Sequence, residues 1–157
     1  EPAPQGFCEC SKRTQIELPT THTVYAPIHI ASHRVYFLRI SSLYLNANSQ
    51  PEFKYRNFEK GEVLLTANEA VTGNSTVELV FDYDGVGWAR GGEFSLIVNG
   101  KTVAQDRIGL TPPAYFSIDE TFDVGIDTGS PAGDYPANKQ GFPFAGGELQ
   151  TVTISIR

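Results

Sequence analysis

The sequence predicts an all-β fold, an antiparallel two-sheet sandwich or jelly roll, on three observations. Apolar and polar residues alternate over several short segments, which is the period of a half-buried strand. The chain of 157 residues contains 15 glycines and 10 prolines, a content typical of turn-rich β folds. Finally, no long segment has the 3.6-residue period of an amphipathic helix. Only residues 59–70 tolerate a helix, and Gly61 with the run at 63–66 argues against one.

The first half of the chain contains five short segments typical of strands, at residues 24–25, 28–30, 34–40, 42–45 and 52–56. The last of these alternates most clearly. Phe53 and Tyr55 point to one face, whereas Glu52, Lys54 and Arg56 point to the other. We therefore expect a half-buried antiparallel strand with its charged residues in solvent.

The second half contains five more such segments, at residues 76–83, 94–98, 102–108, 115–118 and 152–156. The core face of the first is formed by alternate residues, Val77, Leu79, Phe81 and Tyr83. Phe94, Leu96 and Val98 are likewise in register for the core. The dipeptide Asn99-Gly100 then predicts a β-hairpin, because both positions of a type I′ turn need positive φ. About ten strands with turns between them predict a sandwich or a concanavalin-like jelly roll.

We predict one domain at residues 22–157, preceded by a tail or linker at residues 1–21. The N-terminal segment contains Cys8 and Cys10 and has little periodicity. A disulfide between residues two apart would be strained, so free thiols are expected. An intermolecular bridge and half of a metal site are the alternatives. The absence of methionine indicates a processed product or a fragment of a longer chain.

Charge and hydropathy exclude two classes of function. The net charge is −6 and no basic run interrupts it, so the protein is not expected to bind nucleic acid. No apolar stretch approaches the ~20 residues that a transmembrane helix requires, so membrane insertion is not expected either.

A long motif in the second half resembles a known family. Residues 116–131 read FSIDETFDVGIDTGSP, and residues 91–108 before them read GGEFSLIVNGKTVAQDRI. Together with FDYDG at 81–85 and PFAGGEL at 143–149, these strings resemble the C-terminal β-domain of bacterial arylsulfatases. The resemblance covers about residues 42–157.

The resemblance implies a non-catalytic accessory domain with a structural or interaction role. Its expected partner is a sulfatase catalytic domain or another protein surface, in a periplasmic or extracellular location. Sulfatases depend on a Cys/Ser-x-Pro-x-Arg segment, and the nearest string here, CSKR at residues 10–13, lacks the proline. The isolated chain is therefore predicted not to be an enzyme. As a fragment of an arylsulfatase it would be part of a sulfuric ester hydrolase.

Other catalytic and metal-binding patterns are weak. The sequence has no Gly-x-Ser-x-Gly nucleophile motif. Its histidines are His22, His29 and His33, which we interpret as solvent-facing strand residues rather than a metal cluster.

An acidic loop is a candidate for calcium, although no cofactor is expected to be required. Carboxylates crowd together at Asp119, Glu120, Asp123 and Asp127, with Asp134 nearby. Ca²⁺ takes six to eight oxygen ligands of this kind. The alternative, which we favour, is that Asp119, Asp127 and Thr128 cap turns by hydrogen bonds from the side chain to the backbone.

A glycine-rich loop at residues 84–92 is the second candidate site. Asp84, Trp88 and Arg90 place an aromatic ring between an acid and a base, as in sites where a ring stacks on a sugar. The alternative function is therefore a lectin-like carbohydrate-binding module for sulfated or neutral glycans. The structural explanation, which we favour, is that Trp88 folds back over the end of the sandwich.

Overall fold

The computed structural model describes the chain at residues 11–18, 26–29, 39–57, 61–111, 123–127, 142–143 and 149–156. These residues form twelve β-strands. No helix occurs among them, and hence none that could span a membrane.

The strands, in chain order, are β1 (Ser11–Leu18), β2 (Ala26–His29), β3 (Arg39–Leu45), β4 (Pro51–Asn57), β5 (Gly61–Thr66), β6 (Ser75–Tyr83), β7 (Gly92–Val98), β8 (Lys101–Ile108), β9 (Asp123–Val124), β10 (Ile126–Asp127), β11 (Phe142–Pro143) and β12 (Thr151–Ile156).

Two five-stranded antiparallel sheets contain most of these strands. Sheet A has the order β12-β1-β6-β7-β8, and sheet B has the order β5-β4-β3-β2-β9. A short β10–β11 ladder is separate from both. The predicted all-β, two-sheet architecture is confirmed for the part of the chain that is described.

The core lies between the facing sides of the two sheets. Its buried residues come from β3, β4, β5 and the residue after β5 on one side and from β6, β7 and β8 on the other: Leu43, Leu45, Phe53, Val63, Leu65, Ala67, Val77, Leu79, Phe94, Leu96 and Ile108. The aromatic ring of Phe94 is central. It stacks on Phe81 with the ring centroids 4.3 Å apart and contacts Phe53 and Tyr55 across the sandwich at 4.9 and 5.3 Å. The predicted core faces of β4, β6 and β7 are therefore correct.

The β7–β8 hairpin forms where the Asn-Gly dipeptide predicted it. Asn99 and Gly100 have φ angles of 50° and 78°, the left-handed values that a type I′ turn requires. Leu96 pairs with Ala104 but Ile97 pairs with Thr102, so Val103 is an extra residue that forms a β-bulge. Both Val103 and Ala104 consequently pack against the core.

The N-terminal segment differs from its prediction. The tail or linker expected at residues 1–21 contains β1, which pairs with β6 on one side and β12 on the other. The prediction is therefore wrong for residues 11–18, where Ile16 and Leu18 alternate with polar residues over a span too short to stand out. Cys8 and Cys10 lie outside the described residues, as does the strand predicted at 115–118.

On the outer face of sheet B, one charged side chain is more buried than the sequence predicts. The side chain of Lys54, expected in solvent, is nearly fully buried, and its Nζ lies 3.7 Å from Oε1 of Glu62. Glu62 also accepts a 2.6 Å hydrogen bond from Nε of Arg56. That hydrogen bond is the main cause of a lowered pKa of Glu62, opposed by partial burial and helped by the charges of Lys54 and Arg56. The long lysine therefore lies along the sheet rather than extending into water.

We predict that Phe94→Ala lowers the free energy of unfolding by about 3–5 kcal/mol, because it leaves a cavity among three aromatic rings. Leu64→Ala is the matched control, since Leu64 lies on β5 but is 48% exposed. We expect the control to change stability by less than about 1 kcal/mol. Urea unfolding measures both, and equal losses would contradict the assignment of the core.

Candidate functional site

The loop between β6 and β7, which we call the tryptophan loop, comprises residues 84–91 and leaves one end of the sandwich. Its two ends are joined by a hydrogen bond of 3.0 Å from the backbone N–H of Asp84 to the carbonyl of Gly91. A second backbone hydrogen bond, 2.7 Å long, runs from Gly85 N–H to the carbonyl of Tyr83. The loop is therefore closed at its base by the same strands that enter and leave it.

The hydroxyl of Tyr83 braces the loop from inside. It donates a 2.7 Å hydrogen bond to the carbonyl of Gly87 and accepts one of 3.0 Å from the backbone N–H of Arg90. Thr111 supports the same turn from outside, since both its N–H and its Oγ1 donate to the carbonyl of Arg90. Backbone groups of the loop that would otherwise be left to water thus have fixed partners.

Two glycines, where the loop joins β7, allow the backbone to approach its neighbours closely. A Cβ on Gly91 would lie 2.5 Å from the carbonyl oxygen of Ile108 and 2.7 Å from Oδ2 of Asp84. A Cβ on Gly92 would overlap the ring of Phe81. Residues larger than glycine would therefore displace either the backbone or the core.

Trp88 stands out from the loop into solvent. Its residue is 75% exposed, and Val86 beside it is 62% exposed. The prediction that Trp88 folds back over the end of the sandwich is therefore wrong. Ala89, which follows it, has a left-handed φ of 55°, a conformation that is unfavourable for a residue with a Cβ. Backbone strain of this kind is concentrated at functional sites.

The acid of the candidate trio is paired with a residue that we did not predict. Both carboxylate oxygens of Asp84 accept hydrogen bonds from Nη2 of Arg107, at 2.7 and 2.6 Å. These bonds, and then the negative charge of Asp84, raise the pKa of Arg107. Both side chains are about half exposed, so the pair adds little to global stability. It fixes where the loop begins.

The three predicted ligand-binding residues are thus only partly brought together. Asp84, Trp88 and Arg90 share the loop, but Asp84 is turned towards β8 and Arg90 acts through its backbone groups. The side chain of Arg90 is exposed. The groups left for a partner are the exposed side chains of Trp88, Val86 and Arg90.

The acidic candidates are not brought together as a metal site within the described part of the chain. Asp119, Glu120 and Asp134 lie outside it. Asp123 is partly buried at the start of β9, and Asp127 is fully buried in β10. Where the structure is described, no three His, Cys, Asp or Glu residues form a group that could hold a metal ion. Calcium remains a prediction.

Of the three histidines that were expected to face solvent, one lies in a described strand. His29 lies in β2 and pairs with Ser42 and Asp123, whereas His22 and His33 lie in residues that are not described.

Sequence reasoning missed Tyr83, Arg107 and Thr111. A signal for Arg107 was present: Val103 and Ile108 both suit the core but are an odd number of residues apart, which indicates a change of phase within the strand. The two hydroxyl braces have no such signal, because they depend on the path of the loop.

Comparison with known proteins identifies no family: no protein-family model, no curated protein and no solved structure matches this chain.

We predict that Gly91→Ala destabilises the protein by roughly 1–3 kcal/mol, because its Cβ would collide with the backbone carbonyl of Ile108. Gly109→Ala is the control, since a Cβ there meets nothing within 4 Å. We expect the control to stay within about 0.5 kcal/mol of the unmodified protein. Thermal unfolding compares the two variants, and a neutral Gly91→Ala would show that the base of the loop yields easily.

Proposed function

We propose that this protein is a non-catalytic accessory β-sandwich domain that docks on a protein surface through the tryptophan loop. The observation that carries the proposal is the exposure of Trp88 on a loop braced at four backbone positions, namely Asp84 N–H, the Gly87 carbonyl, and both groups of Arg90. Two large apolar side chains, Trp88 and Val86, are exposed together on this braced loop, and exposed apolar patches mark sites of interaction.

The chemistry of the loop supports a protein partner. Tryptophan is among the residues most enriched at the centres of protein interfaces, where it fills an apolar pocket. Val86, exposed beside it, extends the apolar contact. Since the braces exist before binding, little conformational entropy is lost when the loop docks.

The resemblance to arylsulfatase C-terminal domains supplies the kind of partner. The jelly-roll, concanavalin-like fold that the resemblance implies stays a prediction. Under this proposal the partner surface belongs to a sulfatase-type catalytic domain. The location would be periplasmic or extracellular. The Cys/Ser-x-Pro-x-Arg segment is missing from the sequence, which is consistent with an accessory rather than a catalytic role.

The single tryptophan permits a site-specific test. The chain labelled with 5-fluorotryptophan has one fluorine resonance, which reports Trp88 alone. We expect this resonance to shift or broaden when unlabelled catalytic domain of a bacterial arylsulfatase, lacking its own C-terminal domain, is added. Trp88→Ala should weaken the association at least about tenfold, or about 1.4 kcal/mol, in a surface-binding measurement.

Leu64→Ala is the control in that measurement, since it removes an exposed apolar side chain from β5 instead of from the loop. An unchanged fluorine resonance, or equal weakening by the control, would contradict docking through Trp88.

A lectin-like function is the second candidate, favoured by the same exposed indole. A pyranose ring can stack on such a face, and the guanidinium of Arg90 could contact a sulfate group. Neutral and sulfated oligosaccharides are therefore titrated into the same labelled protein. A saturable change in the resonance that is confined to glycans would replace the protein partner by a carbohydrate.

A further inference from the structure

Most edge strands of the two sheets carry features that discourage pairing with another chain. Sheet A ends at β8 and β12, and sheet B ends at β5 and β9. Strand β8 contains three charged residues, Lys101, Asp106 and Arg107, and the bulge at Val103. It also lies beside β5, and β9 is only two residues long. Charges, bulges, short length and cover are the usual protection of a sheet edge.

Among the described strands, β12 lacks these protective features. Its sequence, TVTISI, contains no charge, no proline and no glycine, and every residue except Ser155 is β-branched. It pairs with β1 in an unbroken register, from Glu17 opposite Thr151 to Lys12 opposite Ile156. Within the described sheets it therefore ends sheet A as a regular strand without charged residues.

Apolar surface is exposed along this edge. Val152 packs against the core, and Ile154 lies on the same face because the side chains of a strand alternate. Through Thr14 of β1, Ile154 is in the row of the buried Leu79. Ile154 is nevertheless 47% exposed. One more strand beside β12 would cover it.

We propose that β12 is a self-association surface, at which β12 of a second copy of this chain pairs antiparallel across a two-fold axis. The reason for choosing a second copy is that the strand is complementary to itself. Polar and apolar residues alternate throughout β12, so a two-fold register with Thr153 opposite its own symmetry mate sets Val152 opposite Ile154. Apolar side chains then meet on the core face, and hydroxyls meet on the outer face.

Charge and size set the strength of this contact. Each copy has a net charge of −6, but none of that charge lies in β12, so no like charges face each other in the ladder. A pair of six-residue strands buries less than the roughly 1,200 Å² of a stable interface. The dimer is therefore weak and depends on concentration.

Sedimentation of the full chain over a concentration series tests the proposal. We expect a monomer–dimer equilibrium for the unmodified protein and at least a tenfold weaker one for Ile154→Lys, which adds a charge to the edge. Leu64→Lys is a closely matched control, because Leu64 is 48% exposed but lies on β5. A protein that stays monomeric throughout, an Ile154→Lys variant that dimerises normally, or a control that dissociates equally would each overturn the proposal.

Hydrogen exchange of the unmodified protein covers the case in which Ile154→Lys does not fold. We expect the amides of residues 151–156 to exchange more slowly in concentrated than in dilute solution. About half of their N–H groups point away from β1 and would gain a hydrogen bond to the second copy. Equal exchange at both concentrations would overturn the proposal without any variant.

Discussion

The register of the β7–β8 hairpin positions the ion pair at the base of the tryptophan loop. The Asn99-Gly100 turn sets the first pairs, and the bulge at Val103 then changes the phase of β8. Without that extra residue, Asp106 would lie opposite Glu93, and Arg107 would turn into the core. With it, Ile108 is buried and Arg107 reaches the carboxylate of Asp84. An irregularity in one strand thus positions the ion pair that anchors the neighbouring loop.

Strands with clear alternation and strong turns were predictable from the sequence, and others were not. The hairpin and the core faces of β6 and β7 follow from local pattern, since each side chain there is placed by its own strand. Strand β1 was missed because its apolar residues, Ile16 and Leu18, come at its end among polar neighbours, and its pairing partners β6 and β12 are distant in sequence. Pairing over such distances leaves little trace in local composition.

The candidate site was predictable in location but not in arrangement. Glycines and a lone tryptophan marked the loop, but the exposure of Trp88 depends on braces from Tyr83 and Thr111, at positions outside the loop. Likewise, Lys54 was placed in solvent by alternation, whereas the structure keeps it along the sheet beside Glu62. Alternation predicts the face on which a side chain lies, but not what else covers that face.

The left-handed backbone at Ala89 has a consequence for what holds the tryptophan loop in its shape. Glycine would adopt this φ at lower cost, but it would also let the chain reach many other shapes. Alanine disfavours this φ, so the hydrogen bonds that Tyr83 and Thr111 make to the backbone of Gly87 and Arg90 have to hold it in place. The shape of the tryptophan loop is therefore imposed by residues on either side of it and is not the preferred shape of its own backbone.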